Sequence, residues 1–182
     1  MTQLVADRPR QTELLVACGE RLAQLVAEDD WLPDDCAAVH PDHYCQYLLH
    51  CDPLERFSVV SFVWGPEQRT SIHDHRTWGA VGLLRGTEAS TRFSRDAASG
   101  RLIRGATTTL QAGDVELLSP QLGDIHQVRN AGAGTAVSIH VYGANIGAVK
   151  RHSFDPDTGE PTGFVSGYTS QRVPNLWDRS RE

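Results

Sequence analysis

The pair His73 and His75 constrains this chain more than any other feature. Both lie in the glycine-punctuated stretch Ser71-Ile72-His73-Asp74-His75-Arg76-Thr77-Trp78-Gly79-Ala80-Val81-Gly82-Leu83-Leu84-Arg85-Gly86. Side chains two apart on an extended strand, or at its end, project to the same side, so both imidazoles can reach one metal ion. A third imidazole would close the site. His126 is the candidate, because Gly123-Asp124-Ile125-His126-Gln127-Val128-Arg129-Asn130 is another strand-like apolar stretch bounded by turn residues. A lone His-x-His carries little weight. Two β segments that each deliver histidine read as a metal site in preference to buried histidines satisfied by hydrogen bonds.

The surrounding pattern is that of a β protein with one helix. Between about Arg10 and Asp29, Leu14, Leu15, Cys18, Leu22, Leu25 and Val26 recur at three- and four-residue steps, which predicts an amphipathic helix covering a sheet face. Residues Trp31 to Asp42 read as a loop or short helix with a break at each of Pro33 and Pro41. From His43 onward the texture is β, with strands predicted at Tyr44 to His50, Phe57 to Trp64, Ala80 to Leu84, Glu88 to Ser94, Leu102 to Leu110, Val115 to Leu118, His126 to Val128 and Ala136 to Tyr142. Many short strands punctuated by glycine and proline predict an all-β antiparallel sandwich or barrel. At 182 residues the chain suits one domain. Its expected parts are a helical cover over about 10–42, a barrel over about 43–155 and a C-terminal arm over about 156–182. The arm, carrying Phe164, Tyr168 and Trp177, is expected to pack over the barrel or against a second subunit of a homo-oligomer.

Charge narrows the partners. A net charge of -6 argues against a nucleic-acid or anionic-membrane surface, since either needs a concentrated basic face. No apolar run approaches a bilayer span, and Met1 to Asp7 lacks the basic start and apolar core of a secretory signal, so a cytoplasmic location is expected. Cys18, Cys36, Cys45 and Cys51 show no Cys-x-x-Cys spacing and read as reduced thiols.

A second constellation lies in Ala136-Val137-Ser138-Ile139-His140-Val141-Tyr142. Strand periodicity puts Ser138, His140 and Tyr142 on one face and Val137, Ile139 and Val141 on the other. If a covering layer takes the apolar face, the polar stripe lines the metal cavity and can hydrogen-bond in series; otherwise it is an exposed strand face. Asp74, between the two histidines, should point away from the site. Glu88 and Glu116 have no evident partner, and His50 and His152 lack a second ligand at useful spacing.

These residues carry a family resemblance. His73-x-His75 followed by Gly79 and Gly86, then Gly113, Pro120, Gly123, His126 and Asn130, resembles the two motifs of the cupin superfamily, whose fold is a double-stranded β-helix or jelly roll. The acidic ligand usual in the first motif falls on Gly79. A site of three histidines without a carboxylate resembles that of the thiol dioxygenases, and the wording of the chain is similar to their bacterial cysteine and 3-mercaptopropionate dioxygenase branch. The resemblance runs from about Tyr44 to Asp155. It implies a cupin barrel with the N-terminal helix packed outside, and Fe(II) held by His73, His75 and His126. It further implies that a small thiol carboxylate and O2 are converted to a sulfinic acid.

By the same resemblance, Tyr142 donates a hydrogen bond toward the oxygen or sulfur ligands, and His140 and Ser138 position it. Gln46 stands on the early strand where cysteine-specific members carry an arginine, and Arg151 supplies the positive charge for the substrate carboxylate. These substitutions favour 3-mercaptopropionate over cysteine. No cysteine follows His75 closely, so the Cys-Tyr crosslink of the animal enzymes is not expected. Asn130 and the backbone around Gly123 are expected to orient the ligand loop. Other readings are a dioxygenase of a bulkier thiol such as mercaptosuccinate, a zinc-type three-histidine hydrolytic site, and a non-catalytic cupin that binds a small ligand.

Overall fold

Leu14, Leu15, Cys18 and Leu22 fall on one face of a helix and are buried together. In the computed structural model, which describes residues 1–7, 9–170 and 177–180, this helix is α2 (Gln11–Leu25) and follows a short α1 (Thr2–Ala6). Glu13 accepts a hydrogen bond from the backbone N–H of Arg10 at 3.2 Å and places a negative charge in the first turn, where the helix dipole favours it. The helix stops four residues short of the Asp29 expected from the pattern. Glu28, Asp29 and Asp30 would set three carboxylates at its negative end, and the Trp31 indole instead caps the Leu25 carbonyl at 2.9 Å.

After a 3-10 turn (Asp34–Cys36), the chain forms β1 (Cys45–Cys51), β2 (Ser58–Trp64), β3 (Ile72–His73), β4 (Gly79–Arg85), β5 (Thr87–Arg95) and β6 (Leu102–Gln111). There follow β7 (Val115–Leu118), β8 (His126–Asn130), β9 (Ala136–Tyr142), β10 (Arg151–Phe154) and β11 (Pro161–Phe164). They make two sheets, ordered β1-β2-β9-β4-β7 and β11-β10-β3-β8-β5-β6, with every pairing antiparallel. This is the all-β jelly roll that the sequence predicts. The extended segment expected to deliver His73 is β3, only two residues long. Two strands escaped sequence analysis, β10 and β11, four-residue pieces of a polar stretch with little apolar alternation to read. Pro161–Phe164 is thus part of a sheet, within the segment expected to be an arm; residues 171–176 and 181–182 of that segment lie outside the described residues.

The five-stranded sheet is buried on both faces. Its outer face carries Val63, Ala80, Leu84, Val137, Ile139 and Val141, which pack against Cys18, Leu22 and Val26 of the helical cover. Its inner face carries Val60, Phe62, Trp64, Ala136 and Tyr142, which pack with Val128 and Ile146 toward the other sheet. Double burial explains why all seven residues of β9 are withdrawn from water although three are polar. Each fully buried aliphatic side chain contributes about 2 kcal/mol of hydrophobic stabilisation, so the outer cluster is what holds α2 in place.

The C-terminal segment returns to the edge strand β1. The Thr169 N–H donates to the Gln46 carbonyl at 2.6 Å, and the Gln46 N–H donates to Thr169 Oγ1 at 3.0 Å. Tyr168 and Asn145 share a hydrogen bond of 2.9 Å, which ties the same segment to the loop after β9. Among the described residues, no helix is long and apolar enough to cross a membrane, and the four cysteines are free thiols.

The approach of α2 to the sheet depends on Gly82. A Cβ there would meet Leu22 Cγ at 2.8 Å and Val26 Cγ1 at 3.0 Å. Gly82→Val is expected to destabilise the protein by about 1–3 kcal/mol through overpacking, and adding Leu22→Ala should recover part of that loss. Urea unfolding of the two variants checks this.

Candidate metal centre

His73 and His126 are direct cross-strand neighbours on β3 and β8, and His75 arrives from the turn just after β3. Their ring centroids form a near-equilateral triangle of 4.8, 4.8 and 5.0 Å, and their ligand nitrogens all lie within 4.8 Å of one another. All three are buried.

Each imidazole is held by its Nδ1 atom. His73 Nδ1 bonds the Ser71 carbonyl at 3.0 Å and His75 Nδ1 bonds the Asp124 carbonyl at 3.1 Å. A carbonyl oxygen only accepts, so both Nδ1 atoms carry the proton and both Nε2 atoms keep a free lone pair. His126 Nδ1 meets Ser90 Oγ at 3.2 Å, an oxygen that can accept in the same sense. Burial pulls the pKa of His73 down to about 4, and that of His75 and His126 well below the usual imidazole value, with neighbouring imidazoles and the Arg151 charge adding to the effect. Three uncharged donors with lone pairs to spare fit a divalent cation, since a metal needs deprotonated nitrogen and the ring orientation is already fixed.

The turn after β3 is shaped by Asp124. Its carboxylate accepts the backbone N–H groups of His75 at 3.1 Å and Arg76 at 2.9 Å, and this holds Arg76 at a φ of 57°. Asn130 does not orient this loop as expected. Its amide instead donates to the carbonyls of Trp64, Gly65 and Gly134, tying other turns together. Asp74 points away from the cluster, and its carboxylate takes the N–H and Nδ1 of His152 at 2.7 and 2.9 Å. Gly79 stands directly opposite Tyr142 in the β4–β9 ladder. A Cβ there would lie 2.9 Å from Leu118 and 3.2 Å from the Tyr142 ring, so an acidic side chain has no room without displacing the tyrosine.

Ser138, His140 and Tyr142 line the inner face in an unbroken chain. Tyr142 Oη and His140 Nδ1 are 2.8 Å apart, His140 Nε2 and Ser138 Oγ are 2.8 Å apart, and the Trp64 indole N–H donates to Ser138 Oγ at 3.2 Å. The Tyr142 ring stacks on His75 with centroids 5.5 Å apart, which brings this chain to the edge of the histidine triangle. Burial raises the Tyr142 phenol well above its ordinary value and lowers His140 to about 3, so both are neutral.

Arg151, on β10, is the buried cation of the cavity, with only 3% of its surface exposed. Its guanidinium lies 4.8 Å from the Phe164 ring centroid and donates to Ser166 Oγ, while its Nε has no hydrogen-bond partner among the described residues. Burial lowers its pKa, and its charge depresses those of His73, His75, His126 and His140, as its proximity to them requires. Gln46 is half-buried and shares a face of β1 with Tyr44 and Leu48, both of which pack on the inner cluster.

Several contributors were invisible in the sequence. Asp124 and Ser90 act on histidines 49 and 36 residues away, and no local pattern announces such contacts. Glu116, for which no partner was evident, accepts a hydrogen bond from Arg92 at 2.8 Å.

No family model matches the sequence. Among solved structures, the chain is similar to a conserved protein with a double-stranded β-helix domain from Klebsiella pneumoniae, at 15% identity and a TM-score of 0.50 over 76% of this chain and 93% of that one. It also aligns with a cupin superfamily protein from Desulfitobacterium hafniense, at 15% identity and a TM-score of 0.45 over 59% of this chain and 83% of that one. Oxalate oxidase aligns at 15% identity and a TM-score of 0.46 over 58% of this chain, which spans about half of that enzyme, 53%. At these identities the likeness is one of fold alone, and the fold shared with the Klebsiella protein is the double-stranded β-helix.

Replacing His73, His75 or His126 by alanine is expected to abolish stoichiometric binding of a divalent metal, as read by elemental analysis after loading and desalting. The same burial makes the metal-free protein acid-sensitive. In the unfolded chain these imidazoles protonate near 6.5, whereas folded His73 does so only at about 4 and His140 at about 3. As pH falls the unfolded state therefore gains protons first. The stabilisation is full above about pH 7 and is lost progressively between roughly 6.5 and 3. Thermal midpoints of the metal-free protein across this range check the direction.

Proposed function

We propose that this protein is a non-haem Fe(II) thiol dioxygenase acting on a small thiol carboxylate, with 3-mercaptopropionate preferred to cysteine. The observation that carries this reading is a buried guanidinium, Arg151, with no carboxylate partner among the described residues, beside three neutral imidazoles. A buried cation without a counterion is costly, and an anionic ligand entering the cavity removes that cost.

His73, His75 and His126 would hold the metal through Nε2, and with no carboxylate ligand the site keeps its full positive charge for a thiolate. Bound Fe(II) would supply the meeting place for thiolate and O2 and mediate the electron exchange by which both oxygen atoms pass to sulfur. The balance is RS⁻ + O2 → RSO2⁻, with sulfur oxidised, dioxygen reduced and no external reductant. Arg151 binds the carboxylate end of the substrate through its unused donors and so fixes the distance from carboxylate to sulfur. Tyr142 donates its hydroxyl proton toward the oxygen on which charge builds, held in place by His140 and by stacking on His75. Phe62, stacked on His140 at 4.0 Å, closes the inner wall and keeps water away from the chain.

The preference for 3-mercaptopropionate follows from charge. Cysteine brings an ammonium group that needs an ionised acceptor when desolvated. Asp74 is committed to His152, and the Asp124 carboxylate to backbone N–H groups, so neither is free to receive it. Gln46 offers a neutral amide on β1, which accepts and donates without selecting a zwitterion.

Aerobic incubation of iron-loaded protein with 3-mercaptopropionate, cysteine and mercaptosuccinate should show one O2 consumed per sulfinate formed, fastest with the first. Absence of oxygen uptake with every small thiol would overturn the proposal, and activity that needs zinc and no oxygen would replace it with a hydrolytic site. Arg151→Gln should raise KM roughly 10- to 100-fold with a smaller effect on kcat, as expected for loss of charge-assisted hydrogen bonds worth about 1.5–3 kcal/mol. Tyr142→Phe should instead lower kcat by about a hundredfold.

A further inference from the structure

Glu88 is fully buried on β5, and neither of its carboxylate oxygens closes a hydrogen bond among the described residues. It lies on the same face of the strand as Ser90, whose hydroxyl meets His126, and as Arg92. Its polar neighbours across the interior are the Ser138 hydroxyl and the Trp64 indole N–H, the far end of the chain that leads through His140 to Tyr142. A buried carboxyl at the end of a hydrogen-bonded chain determines which way every proton in that chain points.

Counting donors at Ser138 shows why. Its oxygen has one proton to give and two lone pairs, one of them taken by the Trp64 N–H. With a neutral Glu88 turned onto Ser138, the carboxyl O–H would donate into the second lone pair, the Ser138 proton would go to His140 Nε2, and His140 Nδ1–H would donate to the Tyr142 oxygen. The Tyr142 proton would then be free for the histidine cluster. With an ionised Glu88, the Ser138 proton would go to the carboxylate, His140 Nε2–H would donate to Ser138, and Tyr142 would give its own proton back to His140 Nδ1. Both states satisfy Ser138 fully, with opposite sense.

We propose that Glu88 is a positioning residue that sets the direction of the Ser138–His140–Tyr142 chain, its neutral form turning the Tyr142 proton toward the histidine cluster and its ionised form withdrawing it. The catalytic consequence rests on the function proposed above; the directional switch does not. Burial raises the Glu88 carboxyl to about 8, with the nearby Ser138 hydroxyl and Trp64 indole N–H favouring the ionised form and opposing the effect, and the charge of Glu116 adding to it. The titratable and charged groups around it are Glu116 on β7, paired to Arg92 of its own strand, and His140 and Tyr142 on β9. His140 and Tyr142 are neutral over the range in question, so the carboxyl is the group that changes charge next to Ser138.

The test uses the metal-free protein labelled with 15N at histidine, with the His140 signals assigned by difference against His140→Gln. His140 should carry its proton on Nδ1 below about pH 8 and on Nε2 above it. Glu88→Gln, whose amide N–H still donates to Ser138, should keep the Nδ1–H form at every pH. A wild-type tautomer that is the same from about pH 6 to about pH 10, or a switch that persists in Glu88→Gln, would overturn the proposal. Should that variant fail to fold, infrared difference spectra of the wild type decide: a buried carboxylic-acid C=O band lost near pH 8 supports the proposal, and its absence at pH 6 sinks it. In the iron-loaded protein the switch should appear as a fall in kcat of about tenfold between pH 7 and pH 9, in line with the neutral fraction of a group titrating near 8. A tautomer switch in a protein that turns over no thiol would count against the proposed function alone.

Discussion

Taking an imidazole out of water penalises its charged form far more than its neutral one, and the space between the two sheets is organised by that difference. His73, His75, His126 and His140 are all kept uncharged by burial, which leaves three of them as nitrogen donors and the fourth as a two-way link between hydroxyls. The condition holds only because β9 is covered on both faces. Were α2 to leave the outer face, water would reach Val137, Ile139 and Val141, and the polar stripe behind them would lose its low-dielectric surroundings.

Against that background the buried cation Arg151 takes on meaning. Arg151 depresses every neighbouring imidazole, so it reinforces the neutrality that burial begins. It does so without a carboxylate partner among the ion pairs of the described residues, in contrast to Arg56, Arg85, Arg92 and Arg179. Gly79 leaves the Tyr142 ring packed against the backbone, with no room there for an acidic side chain.

Much of this was legible in the amino-acid order because strand alternation is a short-range rule. His73 and His75, and likewise Ser138, His140 and Tyr142, are grouped by a period of two that needs no knowledge of the partner strands. What escaped was set by long-range pairing: Asp124 clamping the turn at His75, Ser90 holding His126, and Glu88 lying near Ser138 from the opposite sheet. Asn130 was assigned to the wrong turn for the same reason. The strands β10 and β11 were missed because four polar residues do not display an apolar alternation, and α2 was drawn too long because its acidic tail interrupts a helix without interrupting its spacing.

The return of the chain to β1 has a bearing on how the molecule meets others. An edge strand offers a row of unused N–H and C=O groups that invites another chain to add on. Thr169 takes up both backbone groups of Gln46, near the start of that edge, using its own N–H and its hydroxyl. A segment far along the sequence thereby blunts the rim of the sheet behind the cavity and discourages intermolecular strand addition there.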